Sequence, residues 1–325
     1  MNKKYELKLA AGILVLLSLI WGYNWVVMKK VARLADPFDF SAIRTLLGAL
    51  ALFAVLAWRR GSLRPVALGP TLLLGLLQTT AFTALIQWAL VGGGAGKTAV
   101  LVYAMPFWLL PMAWVFLGER VRGLQWGAVA MALVGLLFIL DPWKPEGNLL
   151  STALALLASV AWAASAIVLK RLRARVAVDL LSLTAWQMLL GSLVLCALAW
   201  WLPSEPPQLT PYFVAALIYN ALLATGLAWL MWLFILDRLP AGLAGLSSLA
   251  VPAVGVLSGW VELGERPSGP EAIGMACIAV ALVLVSALAL RGRRLQCSAA
   301  TERSAETARP DGLPTAVRCG STDAS

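Results

Sequence analysis

Ten runs of roughly twenty apolar residues, parted by short polar breaks, constrain this 325-residue chain more tightly than any other feature. They fall at 9–28, 38–58, 66–90, 97–117, 123–141, 149–169, 180–202, 211–236, 240–261 and 268–290. As a helix, each run is long enough to cross a hydrocarbon layer about 30 Å thick. With 61% hydrophobic and 13% charged residues, the chain carries more apolar surface than a soluble fold of this length can bury. The expected fold class is an all-α polytopic membrane protein with ten transmembrane helices.

The polar breaks set the orientation. Lys and Arg in excess mark the cytoplasmic side. Sixteen lie on one face, in clusters such as Arg59, Arg60 and Arg64 or Lys170, Arg171, Arg173 and Arg175. Six lie on the other: Lys29, Lys30, Arg33, Lys97, Lys144 and Arg266. Both termini are therefore expected in the cytoplasm, with the chain in the inner (plasma) membrane. The first run lacks a small-x-small cleavage site and reads as an uncleaved span. Trp58, Trp126, Trp143, Trp200 and Trp201 near span ends suit interfacial belts. The tail 291–325 is polar and is expected to be a disordered cytoplasmic segment.

Several function classes drop out. The net charge of +10 is spread over short loops and forms no basic domain, so nucleic acid is not an expected partner. The chain has no histidine, and its four cysteines show no CxxC spacing. No metal, no cofactor and no catalytic residue is expected, since no paired acids and no nucleophile with a base are found. The stretch VGGGAGKTAV, Val91 to Val100, looks like a phosphate-binding loop. That motif needs G-x-x-x-x-G-K-[ST], and the first position here is Val91. The loop also joins two apolar spans on the face away from the cytoplasm, so no nucleotide is expected.

The same stretch begins a repeat. GAGKTAVLVYAMPFWLLPMAWVFLGER, Gly94 to Arg120, aligns without gaps on PAGLAGLSSLAVPAVGVLSGWVELGER, Pro240 to Arg266, at a shift of 146 residues. Pro106 falls on Pro252, and Leu117-Gly118-Glu119-Arg120 falls on Leu263-Gly264-Glu265-Arg266. Trp21 to Lys29 resembles Trp162 to Lys170, and Leu46 to Trp58 resembles Leu189 to Trp201. Two five-helix units are expected, 9–141 and 149–290. Five crossings is an odd number, so the second copy must insert upside down, as an inverted repeat.

The ten spans, the doubled unit and the twin LGER motifs resemble the drug/metabolite transporter superfamily in its EamA-like branch. The resemblance covers about residues 9–290. It implies a transporter that moves small metabolites by alternating access. It further implies that helices 1–4 and 6–9 surround a central cavity, with helices 5 and 10 behind. Exporters of amino acids and other metabolites belong to this family, so the expected partners are such a solute and the lipid bilayer. Assembly is expected as a monomer or a homodimer.

Candidate site residues follow from polarity inside apolar spans, because a polar group in lipid needs a partner. Arg44 is the only charge well inside a span, at an insertion cost of about 2.5–3.5 kcal/mol. It snorkels to the interface, makes a structural hydrogen bond, or meets a substrate carboxylate in a cavity, and its repeat mate is the neutral Gln187. Trp21 and Asn24 in span 1 match Trp162 and Ser165 in span 6, and could equally be glue between helices. Gln78, Thr79, Thr80, Thr83 and Gln87 give span 3 a polar side, answered in span 8 by Tyr219, Asn220, Thr225 and Trp229. Tyr103, Ser247 and Ser248 need partners in spans 4 and 9.

Pro106, Pro111 and Pro252 lie inside runs read as helices, and should free the carbonyls of Val102, Phe107 and Ser248. Glu119, Arg120, Glu265 and Arg266 in the LGER turns either cap their own turns as local ion pairs or work as gates at opposite entrances. No Asp or Glu occupies the middle third of any span, which favours facilitated diffusion or exchange over proton antiport. Rival readings are efflux of drugs or lipophilic cations held by aromatic rings, and a receptor or assembly subunit that transports nothing.

Overall fold

A computed structural model of the chain describes residues 3–92, 98, 101–120, 123–140, 149–202, 204–264, 269–270, 272–281 and 283–284. Among these residues there is no strand. The helices are α1 (Lys3–Val31), α2 (Pro37–Trp58), α3 (Leu68–Gly75), α4 (Phe82–Gly92), α5 (Met105–Leu117), α6 (Gln125–Leu140), α7 (Leu149–Arg175), α8 (Leu180–Trp201), α9 (Pro211–Ile218), α10 (Ala228–Arg238), α11 (Ala241–Ser247) and α12 (Ala250–Leu263). A π-helical stretch, Leu76–Ala81, joins α3 to α4, and a second, Tyr219–Leu227, joins α9 to α10. Seven helical rods among the described residues are long and apolar enough to cross a membrane.

The ten expected spans and these seven rods differ for local reasons. Spans 5 and 10 continue into residues outside the described set, leaving the shorter apolar helices Gln125–Phe138 and Ala272–Ala281. Span 4 is interrupted at Tyr103-Ala104, so only Met105–Leu117 remains as a regular helix. The glycine loop at 93–97 and the tail also lie outside the described residues.

Polar caps start the helices where the apolar runs begin. The Asp36 carboxylate accepts from the Phe38 N–H at 2.8 Å, with Pro37 at the first helical position of α2. Asp179 caps α8 through the Ser182 N–H at 2.8 Å, and Thr210 caps α9 through the Phe213 N–H at 3.1 Å. Helices α5 and α12 both end on a left-handed glycine, Gly118 (φ 69°) and Gly264 (φ 70°). Within the spans, Leu50, Val115 and Leu193 are exposed, as lipid requires. Trp58, Trp200 and Trp201, at the ends of α2 and α8, are among the most exposed.

Packing runs between the two halves of the chain. α2 lies on α8, α1 on α10 and α12, and α7 on α4 and α5. Backbones approach closely where glycine permits it. A Cβ on Gly48 would come within 2.8 Å of the Ala221 carbonyl oxygen, and one on Gly191 within 2.5 Å of the Thr79 Cβ. Both glycines flank the π-helical stretches, whose altered backbone pairing is a common mark of functional helices.

Candidate functional site

The crossing of these helices leaves a cavity of about 400 Å³. Its wall takes Trp21, Asn24, Trp25 and Met28 from α1, Phe40, Arg44 and Thr45 from α2, and Thr79, Phe82, Thr83, Ile86 and Gln87 from the bent α3–α4 rod. Tyr103, Trp162, Met188, Ala224 and Trp229 complete the wall from later in the chain. At one end it reaches the α1–α2 turn at Ala32, Ala35 and Pro37, beside Lys29.

Aromatic rings line the opposite end. Trp21 meets Trp229 edge-on at 5.1 Å and Trp162 at 5.7 Å, and Phe82 lies 5.2 Å from Trp162. Trp232, fully buried, backs Trp162 at 5.4 Å. The Trp21 indole N–H donates to the Ala224 carbonyl at 3.0 Å. That carbonyl lies in the second π-helical stretch.

Eight of the thirteen residues expected at a substrate site lie together on this wall: Trp21, Asn24, Arg44, Thr83, Gln87, Tyr103, Trp162 and Trp229. The other five do not reach it. Gln78 accepts from the Ser165 hydroxyl at 3.4 Å, and Gln187 accepts from the Thr79 hydroxyl at 3.0 Å, both buried between helices. Asn220 donates back to the Ala216 carbonyl at 3.1 Å, and the Ser248 hydroxyl to the Gly245 carbonyl at 2.7 Å. These side chains bond inside or between helices through one polar group each, while Gln78 Nε2, Gln187 Nε2 and Asn220 Oδ1 have no partner among the described residues.

Arg44 does not snorkel. It turns into the bundle and donates to the Thr225 hydroxyl at 3.2 Å, in the other half of the chain. No Asp or Glu lines the cavity, and Arg44 forms no ion pair among the described residues. Its buried Nε has no partner among the described residues, and neither do Trp162 Nε1, Asn24 Oδ1 and Gln87 Oε1. Unpaired groups of this kind are costly unless something else supplies the bond.

At the far end of the bundle the helices are tied by polar groups. Of the two readings of the first LGER turn, the local Glu119–Arg120 ion pair is absent among the described residues. Instead the Glu119 carboxylate accepts from the Ala241 N–H at 2.7 Å, the first residue of α11, and lies 3.6 Å from Lys170. Arg120 is exposed and unpaired among the described residues, because the left-handed turn at Gly118 sends Glu119 across to α11. Lys170 also donates to the Leu239 carbonyl, and Arg173 pairs with Asp237 at 2.7 Å. At the cavity's own end, Lys30 at the close of α1 pairs with Glu262 at the close of α12. Glu265 and Arg266 lie outside the described residues.

The prolines need correction too. Pro106 and Pro252 sit in the first turns of α5 and α12, each after a two-residue break, Tyr103-Ala104 and Ser248-Leu249. The Ser248 carbonyl is not freed, since it accepts from the Val251 N–H at 3.0 Å. Only Pro111 stands within a regular helix.

Polarity could not find the apolar part of the wall. Met28, Phe40, Phe82, Ile86, Val102 and Met188 carry no polar signal among so many apolar residues. Thr45 and Thr79 were findable, as a neighbour of Arg44 and as part of the polar face of span 3. Among the described residues no cluster of His, Cys, Asp and Glu could hold a metal.

A membrane-spanning bundle built around a polar and aromatic cavity defines a transporter of small molecules. The chain belongs to the EamA-like transporter family, whose model matches twice, over residues 8–141 and 149–287. Among its relatives is "Uncharacterized transporter YoaV" of Bacillus subtilis, 29% identical over 267 residues, with 80% of this chain and 90% of that one covered. Another is the "Probable amino-acid metabolite efflux pump" of Escherichia coli, 27% identical over 296 residues, covering 87% and 96%. A solved crystal structure superposes with a TM-score of 0.75 at 21% identity, covering 87% of this chain and 98% of that one. It shares the fold.

Proposed function

We propose that this protein exports amino acids or related small metabolites across the inner membrane by alternating access. Ten helices, arranged as two inverted five-helix repeats over 9–141 and 149–290, form the carrier in this reading. The observation that carries it is the cavity, which joins residues of both halves around Arg44 and reaches only the α1–α2 end among the described residues. Positive-charge counting assigns that end to the outside, so this is an outward-facing state with both termini in the cytoplasm. The twofold match of the family model supports the repeat, as do the two π-helical stretches, which end at Ala81 and Leu227, 146 residues apart.

Transport needs an inward-facing state in which the far end opens and the α1–α2 end closes. Glu119, Lys170 and Ala241 tie that far end here, so they form the gate that must part. No carboxylate lies on the wall among the described residues, which favours flux down the solute gradient over proton antiport. Overexpression in cells fed peptides tests the reading: excretion of one class of amino acid should rise above the vector control. Unchanged excretion of all metabolites would count against it. Reporter fusions at both ends of the chain test the topology.

A further inference from the structure

We infer that the cavity selects amphipathic organic anions, a carboxylate joined to a large apolar or aromatic body, and that it is indifferent to the α-amino group. This rests on the transporter reading and narrows its cargo. Four unpartnered buried atoms belong to residues of the cavity wall: Arg44 Nε, Trp162 Nε1, Asn24 Oδ1 and Gln87 Oε1. The first two are obligate donors, so they call for a ligand that accepts. The last two belong to amides, which can turn either C=O or NH₂ toward a ligand. An α-amino, α-hydroxy or α-oxo substituent can therefore be met equally well.

Charge sets the sign. Arg44 is cationic, lacks a counterion among the described residues and shares the wall with no Asp or Glu. A bound carboxylate neutralises it in a low dielectric, where the attraction is strong. A bound cation meets like charge there instead, which outweighs the cation–π attraction of the Trp rings. The ligand's body follows from the rest of the wall. Trp21, Phe82, Trp162 and Trp229 surround the cavity's inner end with ring faces and edges. An apolar ring buries its surface there, whereas a small polar solute leaves those rings wet and unmatched.

The test uses purified protein in liposomes and four probes: phenylpyruvate, L-phenylalanine, phenyltrimethylammonium and L-serine. Fluxes are read against protein-free liposomes. Phenylpyruvate and L-phenylalanine should move at rates within tenfold of each other. The other two should stay within twofold of the protein-free background. Arg44→Gln should cut both carboxylate fluxes at least tenfold with no fall in melting temperature, which a merely structural role for Arg44 does not explain, and Arg44→Lys should restore part of them. Flux of phenyltrimethylammonium matching phenylpyruvate would overturn the inference. So would flux of L-serine without L-phenylalanine, although the transporter reading then stands. If no solute of any kind moves, the transporter reading itself falls.

Discussion

The Arg44 guanidinium donates to the Thr225 hydroxyl at 3.2 Å, and the Thr79 hydroxyl donates to Gln187 at 3.0 Å. Thr79 and Thr225 are 146 residues apart, the shift of the repeat, and Arg44 aligns with Gln187. The same pair of positions is thus bonded across the halves twice, once with a charged donor to threonine and once with threonine donating to a neutral amide. The asymmetry carries a prediction. Arg44→Gln makes the two bonds chemically alike, and Gln187 shows that a buried Gln fits such a place. Removing a buried, uncompensated charge should leave the melting temperature unchanged or higher, while transport falls. Differential scanning fluorimetry beside a flux assay separates the two effects. A large drop in melting temperature would make Arg44 a structural residue.

The Glu119 gate predicts a difference between two variants. Glu119→Gln keeps an acceptor for the Ala241 N–H but loses the charge attraction to Lys170. Glu119→Ala loses both. In a cysteine-free background carrying Thr83→Cys on the cavity wall, an impermeant thiol reagent applied from the Glu119 side should label faster in the Ala variant than in the Gln variant. The unaltered gate should be slowest. Equal rates in all three would show that this end is closed by packing alone.

Close helix contact predicts strong size limits at two glycines. Gly191→Ala places a methyl 2.5 Å from the Thr79 Cβ, and such overpacking costs about 1–3 kcal/mol. Gly48→Ala should behave alike, since the Ala221 carbonyl lies 2.8 Å away. Gly12→Ala, with nothing within 4 Å, is the neutral control. Thermal melts of the three variants in one lipid decide the matter.

A backbone effect is expected at Gly118, where φ is 69° and no atom crowds a Cβ. Gly118→Ala should cost roughly 1–2 kcal/mol through conformation alone. Gly118→Asn should cost less, because Asn tolerates the left-handed region. Equal melting temperatures for Gly118→Ala and the parent would show that the turn relaxes.

Much of this was readable beforehand. Apolar run length sets where membrane helices can lie, so α2 and α8 fall within a residue of their expected bounds, while α1 and α7 run six residues further at their Lys3 and Arg175 ends. Polarity inside an apolar span is conspicuous, and it led to Arg44, Asn24 and Gln87. The same rule does not separate those three, which line the cavity, from Gln78, Ser165 and Gln187, which lie between helices, because a buried amide looks alike in sequence in either place. Glu119 shows a further limit. Its sequence neighbour Arg120 was the obvious partner, yet the turn at Gly118 carries the carboxylate to Ala241, 122 residues away. Nothing local encodes such a contact. The breaks before Pro106 and Pro252 were likewise hidden, because proline marks a kink and a helix start with the same letter.

Efflux from proteoliposomes loaded with a mixture of amino acids and related carboxylates, read by mass spectrometry with and without a pH gradient, would be the first measurement. We expect selective loss of one chemical group, independent of the gradient and reduced at least tenfold by Arg44→Gln. Retention of every solute at the level of protein-free liposomes would contradict the assignment of this cavity to transport.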